Sequence, residues 1–149
     1  EHMALKLAGV ILFFDQNPMI EISPKNPAIA DQEFQPDLIA LDEGGQVKLW
    51  VECGNVATYK MDKLIRRNRN ARVAVLKGTV REAKNMREAF EKNDIPNSQR
   101  VEIFAFPDGQ IEAWKKALEG SVEIFGESVH NGFNLVANSS MFNFDFVKI

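Results

Sequence analysis

Two short runs of the chain, Asp37 to Asp42 and Val47 to Cys53, set apolar and polar positions against each other around Gly44-Gly45. The runs predict two strands. The glycine pair predicts a type I′ hairpin turn, because both of its central residues need positive φ. With Gly44 and Gly45 as the turn, Glu43 faces Gln46, Leu41 faces Lys48, Ile39 faces Trp50 and Asp37 faces Glu52. The other face carries Leu38, Ala40, Val47, Leu49, Val51 and Cys53, almost all apolar. A slip of one residue would turn that set to solvent, so the register is strongly specified.

The same reading gives the other elements. Ala4 to Phe14 and Met19 to Ser23 read as strands joined by the turn Asp15-Gln16-Asn17-Pro18. Pro24 to Pro36 holds three prolines and reads as a connection, with a short helical piece around Ala28 to Glu33. Thr58 to Asn68 reads as a helix with Thr58 as N-cap and Met61, Leu64 and Ile65 as its apolar stripe. Arg72 to Leu76 is a strand whose unbroken apolar run suits burial on both faces. Val80 to Asn93 is a helix, Val101 to Phe106 a strand, and Ile111 to Glu119 a short helix. Ser121 to Glu127 and two segments within Phe133 to Ile149 close the chain as strands. The expected fold class is α/β (α+β mixed): one domain over residues 1–149, with a mixed sheet flanked by helices and extra antiparallel strands at both ends.

Composition narrows the classes. A chain of 149 residues with 45% apolar and 26% charged residues is ordinary for one globular domain. No stretch reaches the roughly 18 apolar residues of a membrane span. Glu1-His2-Met3 reads as a vector remnant ahead of Met3, with no signal peptide. Cys53 is the one cysteine, which suits a reducing compartment, and a cytoplasmic location is expected. Two histidines and one cysteine argue against a zinc site, and Cys53 has no neighbouring base to make it a nucleophile. The net charge of −3 argues against strong non-specific nucleic-acid binding. Lys60, Lys63, Arg66, Arg67, Arg69 and Arg72 nevertheless form a basic cluster, read either as a solvated helix face or as a phosphate-binding one.

The hairpin puts Asp37 and Glu52 side by side, and opposed residues on one face have Cβ atoms roughly 4.5–5.5 Å apart. Such a pair persists when solvated, when one acid is protonated, or when a cation lies between them. Oxygen ligands of this kind suit a hard divalent cation, and an exposed acidic pair at a strand end is the alternative.

Pro36-Asp37, the hairpin, Trp50-Val51-Glu52-Cys53-Gly54 and a following helix with lysines resemble the PD-(D/E)XK phosphodiesterase superfamily, and within it the YaeQ-like proteins. The resemblance extends to Met3-Ala4-Leu5-Lys6 and to the closing Phe142-Asn143-Phe144-Asp145-Phe146. It implies a restriction-endonuclease-like fold and a Mg²⁺- or Mn²⁺-dependent nuclease acting on DNA or RNA. Asp37 and Glu52 would ligate the metal with the backbone carbonyl of Cys53, and a lysine would orient the attacking water. The third motif position is Gly54 rather than lysine, a departure that the YaeQ-like proteins share and answer with a helix lysine. Counting from Glu52 matches that lysine to Lys63, with Lys60 as the alternative, and Arg66, Arg67 and Arg69 would meet nucleic acid. The family also has a long helix between its N-terminal strands and its Asp strand, which Pro24 to Pro36 is too short and proline-rich to hold, and Glu33 is a candidate for an acid lost with it, or a surface glutamate in a loop. A non-catalytic domain binding nucleic acid or protein is the competing reading, because fold alone does not decide chemistry.

Overall fold

The structure, a computed structural model, describes residues 1–149. Its largest sheet has six strands: β1 (Met19–Ile20), β2 (Leu38–Leu41), β3 (Val47–Cys53), β4 (Arg72–Lys77), β5 (Val101–Ala105) and β9 (Val147–Lys148), in the order β1-β2-β3-β4-β5-β9. The strands β3, β4 and β5 are parallel, and the outer pairings are antiparallel. The crossovers are α2 (Thr58–Arg67) and α3 (Val80–Lys92). Both lie on one face, as right-handed connections stepping across a sheet in one direction must.

That face buries Ile39, Trp50, Val73, Val75 and Ile103 against Met61, Leu64, Ile65, Ala83, Met86 and Phe90. The stripe expected on α2 is the buried one, although Ala57 is the N-cap and Thr58 the first helical residue. The helix α3 opens with a full capping box between Thr79 and Glu82.

The opposite face carries the main departure from the sequence reading. The segment read as a strand over Ala4 to Phe14 is a helix, α1 (His2–Leu12), followed by a 3-10 turn over Phe14–Gln16. Ala4, Leu5, Ala8 and Leu12 form its buried face against Leu38, Ala40, Leu49, Val51 and Cys53. The segment is apolar nearly throughout, so neither helical nor strand periodicity marks it, and its length is what favours a helix. Gly9 lets it sit close to the sheet: a Cβ there would lie 2.5 Å from Cδ1 of Leu38. This face of the sheet is thus covered by a helix that comes before the first strand, not by one ahead of Asp37. Residues 24–36 form turns with no helical piece, and the second expected strand shrinks to β1.

The helix α4 (Gln110–Ala117) and a separate antiparallel sheet of β6 (Ile124–Val129), β7 (Gly132–Ala137) and β8 (Ser140–Asp145) complete this layer. Trp114 packs edge to face on Phe142, and Phe146 does so on Phe106 and Phe133, within it, and Trp114 Nε1 donates to the Ala4 carbonyl at 2.9 Å, tying α4 to α1. No helix is long and apolar enough to cross a membrane.

Candidate metal and catalytic site

The β2–β3 hairpin differs from expectation at its turn. The Asp42 N–H donates to the Gln46 carbonyl at 2.8 Å and the Gly45 N–H to the Asp42 carbonyl at 3.0 Å, so the loop is Glu43-Gly44-Gly45. Of the two glycines only Gly45 has positive φ, at 79°. This is a three-residue loop with a left-handed third residue, not a two-residue type I′ turn. Leu41 consequently pairs with Val47 rather than Lys48. A bulge then absorbs one residue at Lys48, and Ala40 pairs with Leu49, Ile39 with Trp50 and Leu38 with Val51. The two departures offset each other, and beyond the bulge the register is the one read from the sequence.

Asp37 lies one residue past the paired span. Its N–H donates to the Val51 carbonyl at 3.1 Å, and its Oδ2 accepts the Cys53 N–H at 2.8 Å. Plain cross-strand opposition thus gives way to a bracket, in which Asp37 is fastened to β3 on both sides of Glu52. Its other oxygen meets α1: Oδ1 is 2.9 Å from Nε2 of His2 and 3.6 Å from Nζ of Lys6.

Glu52 is 3% exposed. Its Oε1 accepts from Nε1 of Trp50 at 2.8 Å, and its Oε2 from Nζ of Lys60 at 2.9 Å. Burial pushes the carboxyl pKa up; the hydrogen bonds from Lys60 and Trp50 oppose this, and the nearby Asp37 charge adds to it. Two acids, each with a lysine from a helix on a different face of the sheet, thus lie at the C-terminal end of β3.

The helix lysines separate. Lys60 reaches Glu52, whereas Lys63, to which the resemblance assigns the water-orienting role, pairs with Glu33 at 2.8 Å. The two are three residues apart, less than one turn of α2, whose N-terminus is the end nearest the acids. Lys60 also lies over the ring of Phe34, 5.3 Å from its centroid. Glu33 lies with Lys63 rather than with Asp37 and Glu52.

The Cys53 side chain belongs to the core under α1, and burial pushes its thiol strongly up, so only its backbone is at the site. Within the basic cluster, Arg66 pairs with Asp62, Arg67 donates to the Asp31 carbonyl and Arg72 pairs with Glu102; Arg69 is exposed with no side-chain partner. Lys6 was missed in the sequence because a strand reading of residues 4–14 does not point it at Asp37; a helical reading does. No group of three or more His, Cys, Asp or Glu side chains is arranged around a common point. The donor chemistry is therefore two carboxylates, which fits a Mg²⁺-like ion that keeps several waters and takes one or two protein carboxylates.

Comparison with known proteins agrees with this architecture. The family model described as YaeQ protein matches residues 3–138. The crystal structure of the YaeQ protein from Pseudomonas syringae aligns with a TM-score of 0.68 at 16% identity, covering 99% of this chain and 76% of that one. That of the YaeQ protein from Xanthomonas axonopodis pv. citri gives 0.67 at 15% identity, with 99% and 77% covered. At such identities the likeness is one of fold. No curated protein matches the chain.

Proposed function

The chain belongs to the YaeQ family, and on that premise we propose that it is a nuclease-like domain of the PD-(D/E)XK superfamily, using Mg²⁺ or Mn²⁺ to hydrolyse phosphodiester bonds of DNA or RNA. The observation that carries the reading is Glu52, a carboxylate nine-tenths and more buried beside Asp37, with a lysine brought to each acid. A buried carboxylate that keeps its charge needs a cation, and two adjacent ones need more than one.

Asp37 and Glu52 would hold the metal, with the Cys53 carbonyl as a third oxygen. The ion would supply Lewis-acid charge at the phosphate and lower the pKa of a bound water. The chain's own residues do the rest. The bonds from Asp37 to Val51 and Cys53 fix that carboxylate in the β3 frame. Trp50 fixes one oxygen of Glu52 and leaves the other to exchange between Lys60 and a cation. Lys60 is thus the site's resident counter-charge, and Lys63 stands outside it.

The test is a metal titration of the native chain followed by melting temperature, with single- and double-stranded oligonucleotides assayed in parallel. Mg²⁺ or Mn²⁺ should raise the melting temperature by preferential binding to the folded state, and Asp37→Ala and Glu52→Gln should remove both the shift and cleavage. A shift retained in both variants would refute the site.

A second reading, a non-catalytic module binding nucleic acid or protein, is favoured by one observation: Lys6 and Lys60 already pair with the acids, and intramolecular partners engage most of the basic cluster. Oligonucleotide binding with no cleavage at any metal concentration would select it.

A further inference from the structure

Two aromatic rings stand at the edge of this site and take no part in the chemistry above. Phe34 comes three residues before Asp37, and Tyr59 precedes Lys60 in the first turn of α2. Their rings meet edge to face, with centroids 6.4 Å apart. Phe34 is anchored, packed against the core that holds Trp50 and Met61. Tyr59 is 64% exposed, so most of its ring has no partner in the chain. A single exposed aromatic residue is ordinary. An exposed ring fastened to a half-buried one, with two ammonium groups near the second, is a more specific arrangement.

The cations tie the rings to the acids. Nζ of Lys60 lies 5.3 Å from the Phe34 centroid while it donates to Glu52 at 2.9 Å. Nζ of Lys63 lies 5.9 Å from the same centroid. Both ends of its ion pair with Glu33 are nearly half exposed, and such a pair yields easily to a competing anion. Tyr59, Lys63 and Arg66 are spaced i, i+4, i+7 and lie along one exposed face of α2. A ring and a line of cations therefore run outward from Glu52 on one surface.

Rings interleaved with cations match one polymer best. Single-stranded nucleic acid offers a π-face on every base and a phosphate between successive bases, and proteins hold it by stacking bases on aromatic side chains beside a basic track. A duplex keeps those faces within its own stack, and a base must leave the stack to meet a ring. The net charge of −3 points the same way. It limits the phosphate contribution that dominates duplex binding, so stacking must supply a larger share.

We propose that Tyr59, backed by Phe34, is a base-stacking platform that selects single-stranded nucleic acid and seats one base beside the phosphodiester at Asp37 and Glu52. The proposal rests on the nuclease reading for that phosphodiester, whereas the stacking needs no cleavage and is tested without it.

The experiment measures binding to the full chain by fluorescence anisotropy, with Ca²⁺ in place of Mg²⁺. The probes are a labelled ten-nucleotide oligothymidylate, an abasic strand of the same length and charge, and a ten-base-pair duplex. Oligothymidylate should bind at least about fivefold more tightly than either of the others, the lower bound for one stacked base. Tyr59→Ala should lose that margin and leave the affinity for the abasic strand unchanged, and Tyr59→Trp should keep it. Phe34→Leu, which preserves apolar bulk, should narrow it; if that variant fails to fold, the two exposed Tyr59 variants decide. Equal binding of oligothymidylate and the abasic strand overturns the inference, as does a full margin in Tyr59→Ala or tighter binding of the duplex. No binding of any probe also overturns it and leaves the rings to a protein partner. Cleavage in Mn²⁺ is followed separately. A margin that depends on Tyr59 without cleavage keeps the platform and ends the nuclease reading, and cleavage without that margin does the reverse.

Discussion

Lys60 and Glu52 form an ion pair of 2.9 Å at the mouth of the α2–sheet groove, and its two ends are unequally wet: 22% of the lysine side chain is exposed but only 4% of the glutamate's. The carboxylate bears the desolvation and the ammonium keeps part of its hydration. Ionisation of Glu52 is therefore costly in the folded chain in spite of its partner.

The pH dependence follows with its sign. A glutamate whose folded pKa is raised holds a proton that the unfolded chain has already released. Stability of the metal-free chain therefore falls as pH climbs from the ordinary glutamate pKa, about 4.3, up through the raised Glu52 pKa, and is level above it. Glu102, held below the usual range by Arg72 and Lys148 against the cost of its burial, slopes the other way. The clean quantity is thus the difference between the native chain and Glu52→Gln. Denaturant melts over a pH series rising from about 4 should show Glu52→Gln gaining on the native chain until the raised Glu52 pKa is passed, and a constant difference would refute the assignment.

Much of this site can be read from the residues. Trp50-Val51-Glu52 and the glycine pair place both acids, and the wrong turn type is harmless because the bulge at Lys48 cancels it. The lysines are harder. Lys6 requires α1 to be a helix, and its uniformly apolar sequence hides that period. Lys63 and Lys60 differ by less than one helical turn, a spacing that depends on where α2 starts and how its axis meets the sheet.

Trp50 and Glu52 should be energetically coupled. The indole N–H donates to a buried carboxylate oxygen, and such a bond to the ionised form is about twice as strong as a neutral one. Trp50→Phe should cost more in the native chain at pH 8 than in the Glu52→Gln background, by about 1 kcal/mol. A double-mutant cycle by urea denaturation measures the difference, and additivity within error would show that the bond carries no charge-dependent energy.

If a metal binds as proposed, Lys60 would compete with it for the same carboxylate oxygen. Removing it should raise metal affinity, by about fivefold if roughly 1 kcal/mol of repulsion is relieved. Lys60→Met titrated with Mn²⁺ by calorimetry should show this, whereas Lys63→Met, whose partner is the exposed Glu33, should match the native chain. Equal affinities in all three would place the metal elsewhere.

The basic cluster is not uniform. Arg66 is tied to Asp62 and Arg67 to a backbone carbonyl, whereas Arg69 has no side-chain partner. If nucleic acid meets this edge, Arg69→Ala should reduce the slope of log affinity against log salt by about 0.7–0.9. Arg66→Ala should change it less, because its charge is already neutralised. Fluorescence anisotropy over a salt series reads both slopes, and equal effects would show that Asp62 releases Arg66 on binding.

The hairpin loop separates two geometries through its glycines. In a two-residue type I′ turn both Gly44 and Gly45 need positive φ, and alanine at either costs stability. In the three-residue loop only Gly45 is left-handed, at φ 79°, with nothing within 4 Å of an added Cβ; the cost there is conformational alone, about 1–2 kcal/mol. An added Cβ on Gly44 would come 3.3 Å from Oδ1 of Asp42, the end of a side chain that can give slightly. Gly44→Ala should therefore fall within about 0.5 kcal/mol of the native chain, and Gly45→Ala should not. The register beyond the bulge is held by Leu38, Ala40, Leu49 and Val51 in the core, so neither change should weaken metal binding at Asp37 and Glu52. Thermal melts with and without Mn²⁺ test both halves. Equal losses from the two alanines would restore the two-residue turn, and a lost metal shift would show that the loop, rather than the core, sets the pairing.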